Sequence, residues 1–259
     1  MFDKGSGRPI VVVQPLQGRW EWTAPLLREL ARHGRVITYS LCGELGSGRR
    51  TGTRAGIDDY LTQLREVMDA AGVKEAALCG ISFGGAVAAR FAAEDPGRVT
   101  RLVIVSSPGP GWRASATQAA YVAKPWLSLP AFALGAVTRV TPEILSALDT
   151  WGARLGFAVR SGYAAVRYPS MPHLMAERVR LLEGLNLVEA CARITAPTLV
   201  VTGEPGLDRV VPVESTRRYA ELIANARYVM MDRTGHQGVL TQPARFAALV
   251  SEFVNADHS

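Results

Sequence analysis

The chain has 259 residues, 48% hydrophobic and 20% charged, a balance that excludes a disordered segment and suits one α/β domain with room for an insertion. Its net charge of +6 comes almost entirely from arginines scattered along the chain. The tightest basic groups are the pairs Arg49-Arg50 and Arg217-Arg218, with no interleaved aromatics, which argues for a solvated surface and against a nucleic-acid stripe.

The opening Met1-Phe2-Asp3-Lys4-Gly5-Ser6-Gly7 lacks the charged-then-apolar profile of a signal peptide. Ile10 to Val13 reads as a short buried strand after Pro9. An amphipathic helix follows through Trp22, Leu26, Leu27, Leu30 and Ala31, closing near Gly34, and Arg35 to Tyr39 forms a second strand. A Gly-rich polar loop from Gly43 to Gly56 leads into a helix with Ile57, Tyr60, Leu61, Leu64, Val67, Met68 and Ala71 at helical spacing, ended by Gly72. The run Ala76-Ala77-Leu78-Cys79 is a strand, the small-residue stretch after Gly85 a helix, and Leu102 to Val105 the next strand. From Trp112 to about Asn186 helical patterns and proline breaks replace the alternation, and no apolar run there reaches the roughly 18 residues of a membrane span. The rhythm resumes with Thr198 to Val201, a helix over Val213 to Ile223, the strand Arg227 to Met231 and a last helix lined by Phe246, Leu249, Val250, Phe253 and Val254.

Continuous apolar strands alternating with helices predict an α/β fold with a doubly wound, mostly parallel sheet of about six core strands, covered on both faces. The expected division is a core domain of residues 1–110 and 187–259, with residues 111–186 as a helical cap. Ligands in such sheets bind beyond the carboxyl ends of the strands. Cys42, Cys79 and Cys191 are odd in number and form no metal-ligand or C-x-x-C pattern, which fits reduced thiols and a cytoplasmic location.

Ser82 stands in Gly80-Ile81-Ser82-Phe83-Gly84-Gly85, between a buried strand and a helix. A Gly-bracketed serine in that context describes a nucleophile elbow: Gly80 and Gly84 remove Cβ atoms that would clash, and the hydroxyl rises beside a helix N-terminus. Serine is a weak nucleophile and needs a base, which in turn needs an orienting acid. Of the four histidines, His33 ends a helix, His258 lies in the tail and His173 belongs to the helical insertion. His236, in Thr234-Gly235-His236-Gln237-Gly238, follows the last strand and so shares a rim with Ser82. Asp208 and Glu204 both follow the preceding strand. Asp208 is favoured because Pro212 can open the next helix and leave Asp208 in the loop. The order Ser82, Asp208, His236 is that of an α/β-hydrolase triad.

On these motifs the chain resembles the α/β-hydrolase superfamily, in its group of small capped esterases, lactonases and C–C hydrolases, over nearly its whole length from Gly5 to Val254. The resemblance implies Ser82 as nucleophile, Asp208 before Val211-Pro212 as acid, Gly235-His236 as the base, and backbone N–H groups of Leu16 and Phe83 as the oxyanion hole. Serine at the elbow argues against branches that use aspartate there. Three departures stand out. The first core strand ends in Gln14-Pro15-Leu16 where the family usually has His-Gly. The acid loop carries Pro205-Gly206 as two extra residues, which keeps Glu204 a competitor. The leading hairpin is nearly absent. The implied chemistry is ester hydrolysis through an acyl-enzyme, with lactone or C–C bond hydrolysis, or a non-catalytic ligand-binding role, as alternatives. No metal or organic cofactor is implied, the expected partner is a small-molecule substrate rather than a membrane or nucleic acid, and the oligomeric state stays open. In the cap, Trp112, Trp126, Leu127, Phe132, Leu134, Trp151 and Phe157 are expected either to face the cleft over Ser82 or to glue the cap to the sheet domain.

Overall fold

Branched apolar runs form the sheet, and amphipathic stretches form the helices that cover it. The structure, a computed structural model, describes residues 1–48 and 56–256. The pair Arg49-Arg50, part of the Gly43–Gly56 loop and His258 therefore lie outside the described residues. The strands are β1 (Phe2–Lys4), β2 (Pro9–Val13), β3 (Arg35–Thr38), β4 (Ala76–Ile81), β5 (Val99–Val105), β6 (Thr198–Thr202) and β7 (Ala226–Met230). They make one sheet in the order β1-β3-β2-β4-β5-β6-β7. From β3 to β7 every pairing is parallel, and β1 is antiparallel to β3. The six expected core strands are thus joined by a seventh. β1 is three residues long, too short for any periodicity to announce it, and is held by its ladder to β3 and by the ion pair of Asp3 with Arg35.

The helices are α1 (Ala24–Leu30), α2 (Ile57–Ala70), α3 (Phe83–Glu94), α4 (Ala116–Ala123), α5 (Leu129–Ala147), α6 (Trp151–Arg167), α7 (Pro172–Gly184), α8 (Leu187–Arg193), α9 (Val213–Leu222), α10 (Gly238–Thr241) and α11 (Pro243–Asn255). Alternate strand residues sort to opposite faces, as the two-residue period of a strand requires. Val11, Val13 and Leu78 pack with α2, α3 and α8, while Ile10, Val12, Ala77 and Cys79 pack with α1 and α11. Leu26, Leu27 and Leu30 of α1 are wholly buried against Phe246 and Val250. Each such leucine stabilises the fold by about 1.5–3 kcal/mol. All three cysteines are buried and none is in a disulfide among the described residues, and burial pushes the thiols of Cys79 and Cys191 up to about 12. Among the described residues no helix is long and apolar enough to cross a membrane.

Between β5 and β6 the chain runs through α4 to α8 without a strand. The first three of these helices touch the rest of the protein sparingly. α4 buries nothing, α5 only Glu143 and Ala147, and α6 only Phe157. α7 buries Pro172, Leu174, Ala176, Arg178 and Leu182, and so seats the segment more firmly.

Candidate active site

Ser82 forms the turn between β4 and α3 with φ 53° and ψ −118°, a conformation that costs a non-glycine residue about 1–3 kcal/mol. Its N–H donates to the Val105 carbonyl at 2.8 Å, and its own carbonyl accepts from Gly85 N–H at 2.9 Å, so the strain is held from both sides. The flanking glycines are required by space. A Cβ on Gly80 would lie 2.3 Å from the Gly84 carbonyl oxygen, and one on Gly84 would lie 2.2 Å from that of Val13. α3 can therefore start almost against the end of β2, with the Phe83 N–H at its open N-terminus.

His236 follows β7, and Asp208 follows β6. Asp208 Oδ2 lies 3.3 Å from His236 Nδ1, while Oδ1 accepts the N–H groups of Val210 and Val211 at 3.0 Å each. The Asp208 side chain is 1% exposed and that of His236 11%. For Asp208, burial works to raise the carboxyl. The His236 charge and three hydrogen bonds outweigh it and leave the pKa below the ordinary 3.8. For His236, burial works to lower the imidazole, and the charges of Asp208 and then Glu143 outweigh it, leaving the pKa above 6.5. Glu204 takes a different position. Its carboxylate accepts the Arg233 N–H and its own N–H donates to the Thr234 carbonyl, so it braces the loop without meeting the ring. No hydrogen bond joins Ser82 to His236 among the described residues, and such contacts commonly tighten only with substrate bound.

After β2 the chain turns back at once. Gly18 N–H donates to the Pro15 carbonyl at 2.8 Å, and the peptide is trans, so the Leu16 N–H points away from that turn. Gln14, standing where the resemblance expects histidine, is fully buried. It donates to Thr38 Oγ1 at 2.7 Å and accepts from Thr23 Oγ1 at 2.8 Å, which pins the strand end. The Leu16 carbonyl accepts from Arg178 Nη1 at 2.8 Å. Arg178 comes from α7, is wholly buried, and also holds Glu44 at 2.7 Å and the Cys42 carbonyl at 3.3 Å. Gly18 makes room for it, since a Cβ there would lie 2.5 Å from Arg178 Nη1. Burial pushes the Glu44 carboxyl up despite the guanidinium beside it, and its second oxygen finds no hydrogen-bond partner among the described residues.

Two groups at this rim escape the sequence reading: Arg178 and Glu143. Glu143 is 1% exposed and accepts Gln237 N–H at 2.8 Å and the Thr241 hydroxyl at 3.1 Å. Burial pushes its carboxyl up, opposed by these hydrogen bonds and by His236. Its sequence signal is slight, a carboxylate directly after Pro142 on a helix that also carries Arg139. His173 is exposed and stacks on Trp126 with centroids 5.9 Å apart, and His33 is exposed at the end of the turn after α1. Of the residues expected either to face the cleft over Ser82 or to glue the cap to the sheet domain, Trp126, Leu127, Leu134 and Trp151 are 58–80% exposed and Phe157 is buried. Trp112 packs on the sheet core and Phe132 stacks edge-on with Tyr121. A helical period identifies an apolar face without saying whether it meets a cleft or water.

Comparison with known proteins bears on the family and the fold. A model of the family described as "Alpha/beta hydrolase family" matches residues 7–249. The chain is 29% identical to the 2-hydroxymuconate semialdehyde hydrolase of Pseudomonas sp. (strain CF600), an alignment covering 98% of this chain and 89% of that one. It is 25% identical to the pimeloyl-[acyl-carrier protein] methyl ester esterase of Aliivibrio fischeri, covering 97% and 95%. Among solved structures, the enol-lactonase of Burkholderia xenovorans LB400 superposes with a TM-score of 0.81 over 98% of this chain and 95% of that one. At 21% identity it speaks to the fold.

Proposed function

The chain belongs to the alpha/beta hydrolase family, whose similar members include esterases, a lactonase and C–C hydrolases, and from that premise we propose that it is a serine hydrolase cleaving the carboxylic ester of a small or medium-sized apolar substrate. The observation that carries this reading is a strained, glycine-bracketed Ser82 on the same strand-end rim as the Asp208–His236 contact. In the proposed reaction His236 takes the Ser82 proton as the hydroxyl oxygen attacks the ester carbonyl. Asp208 accepts the Nδ1–H, which leaves the other ring nitrogen free to act as base and stabilises the imidazolium that forms. Leu16 and Phe83 N–H groups receive the oxyanion. On collapse the His236 imidazolium returns its proton to the leaving oxygen, giving the acyl-enzyme, a neutral alcohol and a neutral imidazole. Water, deprotonated by His236, then releases the acid and restores Ser82. Residues 111–186 form the cap in this reading.

A second reading, hydrolysis of a C–C bond by the same three residues, is favoured by the 29% identity to 2-hydroxymuconate semialdehyde hydrolase across nearly the full chain. A panel of p-nitrophenyl esters from acetate to octanoate, with lactones and a dienoate ketone alongside, separates the two. The ester reading expects serine-dependent release of p-nitrophenol, lost in Ser82→Ala. Turnover of the dienoate alone would transfer the assignment to C–C hydrolysis. No turnover of any of them, with Ser82 unreactive, would leave a ligand-binding member of the fold.

A further inference from the structure

Glu143 lies 94 residues from its main partner, in the segment least attached to the sheet domain, yet it is almost completely buried. Pro142 removes one helical N–H just before it, and within α5 only Glu143 and Ala147 are buried, one turn apart on the same face. The end of α5 therefore docks on the loop that carries His236. The docking is reinforced from the loop side: Arg233, at φ 63°, donates from Nε to the Ser146 carbonyl at 2.8 Å and pairs with Asp149.

At this junction the carboxylate of Glu143 takes the N–H of Gln237, immediately after the histidine, at 2.8 Å, and lies against Gly235, immediately before it. Gly235 also makes the approach possible, because a Cβ there would lie 2.9 Å from Glu143 Oε2. We propose that Glu143 is a positioning residue for His236: a carboxylate supplied by α5 holds the backbone directly after the imidazole and fixes it for proton transfer. This rests on the reading of His236 as the base. The contact is more than a helix cap. α10 is four residues long, and a neutral acceptor would satisfy its first N–H, whereas a buried charge beside a titrating ring acts on the ring itself. The charged groups that act on His236 are Asp208 from the loop after β6 and Glu143 from α5. Arg233, in its own loop, turns outward to Asp149 and Ser146, and Glu204 accepts the Arg233 N–H.

The test uses the full chain with 13C-labelled histidine, the His236 signal being assigned by its loss in His236→Ala. Against the parent, Glu143→Gln keeps an acceptor for Gln237 N–H but removes the charge. The His236 titration is expected to fall by about half a pH unit or more. On the best ester, kcat is expected to fall by about tenfold with KM nearly unchanged, as for a misplaced catalytic group. Glu143→Asp keeps the charge but withdraws it, and should retain most of the titration midpoint while losing kcat. An unchanged titration and unchanged kcat in Glu143→Gln, with only Tm lowered, would overturn the proposal. So would a shifted titration with kcat unaltered at every pH. Failure of the hydrolase reading looks different: Ser82 in the parent would not react with a fluorophosphonate, while the histidine titration would still report whether Glu143 acts on the ring.

Discussion

Replacing Asp208 by asparagine probes the part of the site where geometry and charge act together. In the parent, one carboxylate oxygen faces His236 Nδ1 at 3.3 Å and the other holds the Val210 and Val211 N–H groups. Asparagine is nearly isosteric and can keep its oxygen on the two backbone donors. Its NH2 then faces Nδ1, which forces the wrong imidazole tautomer and removes the negative charge. At 3.3 Å and an effective dielectric near 20, the lost attraction for imidazolium is about 5 kcal/mol. That is close to the roughly four decades of kcat that such a substitution typically costs a serine triad, about 5.5 kcal/mol. The assay is initial-rate hydrolysis of a p-nitrophenyl ester by the parent, Asp208→Asn and Glu204→Gln, each checked for folding by circular dichroism. Asp208→Asn should nearly abolish kcat, and Glu204→Gln, whose carboxylate only meets the Arg233 backbone, should change it by less than about threefold. If Glu204→Gln lost more activity than Asp208→Asn with both folded, the assignment of the acid would be wrong.

The buried pair of Arg178 and Glu44 gives a stability prediction. Arg178→Met strands a buried carboxylate and should cost about 3–5 kcal/mol in urea unfolding, while adding Glu44→Leu should recover much of it, and a single-variant cost under about 1 kcal/mol would refute the pairing. The pH dependence of stability has a definite sign. Because the folded His236 pKa is raised above 6.5, its contribution is fully present below that value and is lost as pH rises through the folded pKa. Asp208, depressed below 3.8, contributes above that value and loses its contribution as pH falls through its folded pKa. The Tm difference between the parent and Asp208→Asn should therefore be largest between about pH 4 and 6.5 and shrink toward pH 9. Activity should run oppositely on the acid side, rising only as His236 becomes neutral.

The elbow, the histidine loop and the alternating strands were legible because each is written locally. Gly80, Ser82 and Gly84 sit within five residues, and strand followed by polar loop followed by helix recurs around each of them. The choice between Asp208 and Glu204 was open because both stand in one loop, and only the fold shows which carboxylate turns toward the ring. Glu143 and Arg178 were illegible for a different reason. Each shares its helix with other charged residues, Glu143 with Arg139 and Arg178 with Glu177, Arg180 and Glu183, and its partner lies 94 or 134 residues away, so nothing in the local pattern separates it from a solvated side chain. The apolar faces of α5 and α6 carried the correct helical period, but period alone does not reveal that Leu134 and Trp151 meet water. β1 was missed because three residues hold no pattern, and its place comes from the ladder to β3.

Covalent labelling with a fluorophosphonate, followed by intact-mass and peptide mapping, tests the central claim most directly. The phosphorus reagent needs a serine made nucleophilic by a neighbouring base in a folded site. Ser82 as nucleophile predicts a single adduct on the Ser82 peptide, absent in Ser82→Ala and strongly slowed in His236→Ala. An adduct on any other serine that persists in Ser82→Ala, or a folded parent that takes no label, would contradict it.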